Sequence, residues 1–198
     1  EAIGQVIDYL KNRGWDDETE IIFTTDHGEF QGDFGMLFKG PYHIEALMHV
    51  PLIWHPAPAR DIPPLAISNP VGHVDIAPTI CSSIGLNIPN WMQGVSLPTT
   101  VDASRHERTI TEWYDTWEGN TVKLQTLYRD GWVLTRYGQT NIYDGTEGEL
   151  YNLADDPQQW VNLWSDLNYR SIKLDLLSDL VEHLPTGRRD ILEKVAPV

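Results

Sequence analysis

A chain of 198 residues that is 41% hydrophobic and 22% charged has a globular composition, with room for one sizeable core or a core and a smaller satellite. Its 29 Asp and Glu outnumber 14 Lys and Arg, and the formal net charge of −15 repels phosphate backbones and anionic headgroups, so no nucleic acid partner is expected. No apolar run approaches the roughly 20 residues that cross a bilayer and no signal peptide is visible, so no membrane partner is expected; the single cysteine, Cys81, excludes an internal disulfide and a multi-cysteine zinc site.

Ile3, Val6, Ile7 and Leu10 recur at helical spacing, and Gly14 stands where a C-cap glycine belongs. No capping residue precedes them, so the chain is expected to begin inside a larger protein, with a processed N-terminus as the alternative. Ile21-Ile22-Phe23-Thr24-Thr25 reads as a buried strand of a parallel sheet, and Val50–Trp54 as a second strand with Pro51 at its first position. The proline-rich stretch 55–70 is a loop. Asp75 is placed as the N-cap of a helix from Ile76 to about Ile84, with Pro78 in its first turn and Gly85 ending it.

The texture changes near residue 105. Thr109–Tyr114, Val122–Tyr128 and Trp132–Tyr137 are short aromatic and β-branched runs, with Arg129-Asp130-Gly131 as a hairpin signal between the last two. Glu149–Leu153 adds an edge strand, and Asp156-Pro157 is expected to open a helical stretch. Tyr169, Ile172, Leu176, Leu177, Leu180 and Leu184 then share one face of a long helix that ends at Pro185. The pattern divides into an α/β part over 1–104 and a small α+β part over 105–198.

Directly after the first strand comes Asp26-His27-Gly28-Glu29. Ligands of open α/β sheets bind beyond the carboxyl ends of the strands. A carboxylate beside an imidazole, followed by a glycine that permits a sharp turn, can aim two donors at one cation. The same residues also suit an ordinary turn.

The longer segment Asp26-His27-Gly28-Glu29-Phe30-Gln31-Gly32-Asp33-Phe34-Gly35-Met36-Leu37-Phe38-Lys39-Gly40 resembles the sulfatase pattern D-H-G-E-x-x-G-D-H-G-L-x-x-K-G. The resemblance continues through Tyr42-His43-Ile44-Glu45, Val50-Pro51-Leu52-Ile53, His73-Val74-Asp75-Ile76-Ala77-Pro78-Thr79, Gln93-Gly94-Val95-Ser96-Leu97, and Gly148-Glu149-Leu150-Tyr151-Asn152-Leu153 with Asp156-Pro157. These blocks follow family order over almost the whole chain. The fold implied is the C-terminal part of an alkaline-phosphatase-like α/β sandwich, followed by a small antiparallel sheet packed with helices.

By that resemblance Asp26 and His27 are ligands of a divalent cation. Calcium comes first, with manganese or another divalent ion as competitor because of the histidine. Lys39 matches the family lysine that contacts the sulfate group. Glu29 follows the metal pair without ligating. Of the neighbours of Lys39, His43 and Glu45 fit a pocket-lining or a structural place equally, while His73 fits packing or capping. Phe34 stands where many relatives have His, and His49 where many have Arg.

Sulfatases attack with a formylglycine made from Cys or Ser in C-x-P-S-R or its variants. Cys81-Ser82-Ser83-Ile84-Gly85 lacks that Pro and Arg, so Cys81 is expected to be an ordinary buried cysteine on an amphipathic helix. The formylglycine and the paired aspartates that complete the metal shell are expected in an N-terminal half of the same protein; Asp16-Asp17 is read as an acidic turn. The partners implied are that half and a sulfate ester of a sugar or aryl alcohol. The isolated chain is expected to be inactive and to self-associate through apolar surface. A phosphonate monoester or phosphodiester hydrolase of the same superfamily, and a non-catalytic binding or assembly module, remain alternatives. Trp91, Trp113, Tyr114 and Trp117 could stack on a substrate ring, but core or interface positions are more usual for such residues.

Overall fold

The computed structural model describes residues 1–101 and 106–185, and the four aromatic and β-branched runs of the second half set its architecture. They form β3 (Arg108–Trp117), β4 (Asn120–Arg129), β5 (Trp132–Tyr137) and β6 (Gly148–Asn152), an antiparallel meander in the order β3-β4-β5-β6. Asp130-Gly131 turns the chain with φ of 52° and 77°, the two left-handed residues a type I′ hairpin requires. Glu118-Gly119 makes an equivalent turn between β3 and β4, with φ of 49° and 81°; its sequence lacks the Asn or Asp that would have announced it.

Register builds the core. Ile110 pairs with Leu127, Leu127 with Leu134, and Leu134 with Leu150, so one apolar row crosses all four strands. Helix α4 (Arg170–His183) lays Leu176 and Leu180 over that row. These two and the three strand leucines are fully buried, each burial stabilising by roughly 1.5–3 kcal/mol. Buried Asp179 of α4 draws in Arg108 of β3 at 2.9 Å and Arg129 of β4, which tethers the helix to the outer strand pair.

The opposite face of β4 is also covered. Thr126 is buried; its hydroxyl lies 2.8 Å from Thr135 Oγ1 and 2.7 Å from His43 Nδ1. His43 just precedes the short helix α2 (Glu45–Met48), so this polar link fastens the first half of the chain to the sheet. It settles the place of His43, which is structural and 4% exposed.

Upstream, helix α1 (Ala2–Arg13) ends on Gly14 at φ 67°, as its pattern predicts. The first strand departs from expectation. β1 (Ile21–Thr24) is not a buried member of a parallel sheet. It pairs antiparallel with β2 (Leu52–His55), Thr24 opposite Leu52, with Phe23 and Ile53 exposed. An apolar run marks a strand meant to be covered, but it carries no information about its partner's direction. β2 starts just after Pro51, which has no N–H to give to a ladder.

Helix α3 (Ile76–Ser83) begins after Asp75, yet the Asp75 side chain does not cap it. Oδ2 accepts from Gly72 N at 2.9 Å, while Oδ1 accepts from Val95 N and meets His106 Nε2, also at 2.9 Å. Thr79 Oγ1 donates to Asp75 O and accepts from Leu97 N. The 73–79 and 93–97 motifs are therefore two halves of one packed unit. Gly94 lies so close to Val74 that an added Cβ would stand 2.0 Å from its carbonyl oxygen. His73, neither a cap nor mere packing, reaches Thr24 Oγ1 at 3.2 Å and braces the end of β1.

Three further expectations change. Asp156-Pro157 opens a turn rather than a helix, because Asp156 Oδ2 takes the N–H of Val161 at 2.8 Å and diverts the backbone from helical bonding. Cys81 is half-buried. Trp91, Trp113 and Tyr114 are exposed; the side chain of Trp117 lies outside the described residues, as does the expected division between 104 and 105. No helix among the described residues is long and apolar enough to cross a membrane.

Leu180→Ala should lower unfolding free energy by about 2–5 kcal/mol, read from urea denaturation. A second outcome concerns acid. Burial holds the His43 imidazole down at about 4, whereas the unfolded chain binds its proton near an ordinary pKa of about 6.5. Stability should therefore fall as pH drops from that value toward 4, by up to roughly 3 kcal/mol, and lose nothing more through this group below 4. A His43→Asn variant should lack that segment of the pH–stability curve.

Candidate metal and anion site

The chain leaves β1 at Thr24 and turns immediately, and Thr25 organises the turn. Its hydroxyl donates to Asp26 Oδ1 and shares itself with His27 O, both at 3.2 Å, while His27 N donates to the same Oδ1 at 3.1 Å. One carboxylate oxygen of Asp26 is thus held internally and the other, Oδ2, faces outward. Partial desolvation pushes the Asp26 carboxyl up, but the positive charge His27 carries when protonated, the Thr25 hydroxyl and the backbone N–H groups of Asp26 and His27 outweigh it. They hold the group below the ordinary carboxylate value, ionised as a cation ligand must be.

His27 is oriented by its own turn. Nδ1 lies 2.7 Å from Gly28 O, and a carbonyl only accepts, so the proton sits on Nδ1 and Nε2 presents a lone pair. Asp26 Oδ2 is 3.4 Å from that nitrogen. Two electron-rich atoms at that separation repel unless positive charge stands beside them. Lys39 supplies it, with Nζ 2.7 Å from Nε2. The residues read from sequence as the metal pair and the anion contact therefore converge on one point, although Lys39 lies 12 positions beyond His27.

What brings Lys39 back is the loop between them. Phe30 N donates to Phe38 O and Gly32 N to Met36 O, both at 2.9 Å, which folds 30–38 on itself. Phe30, 2% exposed, anchors its base against Leu47 of α2 and Ile44 just before it, with Met36 and Ala46 around them. Gly28 plays a different part from the one its position suggests. Its φ is not left-handed. Instead its N–H bonds Leu47 O at 2.9 Å, and a Cβ there would meet Ala46 O at 1.9 Å. Glycine is required by the close approach of the turn to α2.

The neighbouring candidates fall outside this cluster. Glu29 is exposed. Glu45 accepts from His49 at 2.7 Å, and its N–H goes to Gln159 Oε1 at 2.6 Å. Asp16 and Asp17 occupy a short 3-10 turn, Asp16–Glu18. Thr25 and Gln159 were not signalled by the sequence pattern: the first acts through geometry at the strand end, the second from 114 positions away.

Asp26 and His27 suit a cation as two adjoining donors with a fixed tautomer. Among the described residues no group of three or more His, Cys, Asp or Glu could hold a metal ion. The local field also suits a cation. Lys39 is the only Lys or Arg between Arg13 and Arg60, in a stretch that carries Asp16, Asp17, Glu18, Glu20, Asp26, Glu29, Asp33 and Glu45. An anion approaching here needs added positive charge.

Comparison with known proteins adds a family context. The family model described as N-sulphoglucosamine sulphohydrolase, C-terminal, matches residues 32–185. The Delta 4,5-hexuronate-2-O-sulfatase of Bacteroides thetaiotaomicron is 24% identical over 87% of this chain and 36% of its own length. A solved structure in complex with its substrate, D-glucosamine-2-N,6-O-disulfate, superposes with a TM-score of 0.76 at 26% identity, covering 91% of this chain and 37% of that one. The phosphonate monoester hydrolase of Agrobacterium radiobacter superposes at 0.71 with 25% identity, over 90% and 37%. The chain spans little more than a third of the length of the first relative.

Gly28→Ala should destabilise the protein by about 1–3 kcal/mol, because the turn must move off Ala46. Urea denaturation checks the magnitude, and a midpoint equal to that of the unaltered protein would contradict the close-approach argument.

Proposed function

The chain belongs to the sulfatase family, whose C-terminal part it forms on an alkaline-phosphatase-like α/β fold, and we propose that it supplies part of the site at which the full protein hydrolyses sulfate esters. The observation that carries this reading is the convergence of Asp26 Oδ2 and Lys39 Nζ on the His27 Nε2 lone pair.

Asp26 and His27 are two ligands of a divalent cation, calcium in first place and manganese as its competitor. When bound, the cation draws charge from the ester's anionic oxygens. The remaining work falls to side chains of this chain. Gly28 O keeps the His27 proton on Nδ1, Thr25 keeps Asp26 aimed, and Lys39 offers an ammonium to the same anion. Two donors are well short of the roughly six to eight that calcium takes. The other ligands and the formylglycine nucleophile come from an N-terminal half, so the chain alone binds metal weakly and turns nothing over. Exposed Ile3, Val6 and Tyr9 on α1, with Phe23 and Ile53 on the β1–β2 pair, are apolar surface for that half to cover, and they drive self-association in its absence.

The substrate class rests on relatives named for sulfated sugars. A second reading has one observation in its favour, the likeness to a phosphonate monoester hydrolase. Rates of the full-length protein on a sulfate ester and a phosphonate monoester separate the two.

In the full-length protein, Lys39→Ala should reduce kcat/KM on a sulfate ester by about 10²–10³-fold. Asp26→Ala should lower metal content, measured by elemental analysis, together with activity. A chelator should abolish turnover and calcium or manganese restore it. A Lys39→Ala enzyme within threefold of the unaltered one would remove the anion-binding role.

A further inference from the structure

The site loop carries more than Lys39. Tyr42 packs against Gly40, the residue after Lys39, so closely that a Cβ on the glycine would stand 2.8 Å from the ring. From there a file of aromatic rings leads away from the cluster. Tyr42 meets Phe30 edge-on at 5.5 Å, Phe30 meets Phe34 edge-on at 6.3 Å, and Phe34 meets Trp160 at 5.9 Å with the planes only 31° apart. Only Phe30 is buried: Tyr42 beside the cluster is 42% exposed, and of the two rings farther out Phe34 is 42% and Trp160 70% exposed.

The backbone is constrained at or beside both of these rings. Phe34 sits at the tip of the folded 30–38 loop with φ at 55°, a conformation a bulky side chain adopts only when its surroundings impose it. Trp160 follows Gln159, which is 2% exposed and accepts the Glu45 N–H. The tip is joined to the residue before Lys39 through the rungs of the folded loop, Gly32 to Met36 and Phe30 to Phe38. Neither ring is taken up by the core of this chain. A sugar ring attached to a bound sulfate group can lie on them, because the C–H face of a pyranose is apolar and flat enough to rest on an aromatic plane.

We propose that Phe34 and Trp160 form the ring-binding subsite for a sulfated sugar, one contributed by the loop that carries Lys39 and the other by the distant 156–163 turn. The proposal rests on the sulfate-ester reading above and adds to it the residues that choose the alcohol. It also assigns a task to the second half of the chain, which otherwise only supports the site.

The test uses the full-length protein, a sulfated disaccharide and methyl sulfate, which has no ring. Trp160→Leu and Phe34→Leu should each lower the ratio of kcat/KM for the disaccharide over that for methyl sulfate by about fivefold to tenfold, mainly through KM of the disaccharide. Trp160→Tyr should restore most of the ratio. An unchanged ratio in both leucine variants overturns the subsite, and so does an equal loss on both substrates, which reads as structural damage. Calorimetric titration with the unsulfated disaccharide reads the ring contact without turnover. If the protein cleaves no sulfate ester at all, that failure belongs to the functional reading. The subsite is then judged by whether saturable binding of the unsulfated sugar is lost in Trp160→Leu, and binding that is absent from the unaltered protein, or unchanged in the variant, overturns it.

Discussion

The hydroxyl of Thr126 sits between two partners that belong to different halves of the chain, Thr135 in the next strand and the imidazole of His43. Each of these groups is buried, so each must be paired or cost the structure its full desolvation penalty. Their pairing therefore fixes where the segment after Lys39 lies on the sheet. On the other side of the same strand Leu127 is sealed by α4. β4 is thus covered from both faces, by the site-bearing segment on one and by the helix on the other, and neither cover can shift without exposing polar or apolar groups.

The cluster of Asp26, His27 and Lys39 hangs from that arrangement through short-range contacts. Ala46 and Leu47 of α2 receive Gly28 with no room for a side chain, and Phe30 fills the apolar space beside them. The turn carrying Asp26 and His27 is held by its backbone against α2, which leaves Asp26 Oδ2 and His27 Nε2 facing Lys39. Lys39 closes the cluster because the intervening loop doubles back. The charge balance there is simple: a carboxylate oxygen and an imidazole lone pair need a positive neighbour, and in a strongly acidic stretch only one lysine is at hand. An ion with more charge than an ammonium suits the same place.

Much of this was legible from residue order alone. The alternation and composition of β3 to β5, the Asp130-Gly131 turn, the α4 face around Leu176 and Leu180, and the Gly14 and Gly85 stops all follow from local preferences, which act over a few residues and need no partner. The adjacency of Asp26 and His27 at a strand end is likewise local. The sequence could therefore determine that a donor pair exists, which element delivers it, and which blocks accompany it.

Tertiary structure alone decided the rest, because each remaining feature joins residues far apart in the chain. The direction in which β1 pairs depends on β2, not on the apolar run itself. Asp75 stands at a cap position, yet its carboxylate is claimed by Val95 and His106, which outbid the helix it precedes. Gly28 is a glycine because of Ala46, 18 positions on, rather than because of its own φ. Lys39 reaches His27 only through the folded loop, and Trp160 meets Phe34 only because Gln159 is pinned to Glu45. Residue order specifies which groups are present and what each prefers locally; packing, which must satisfy every buried group at once, specifies which of them meet.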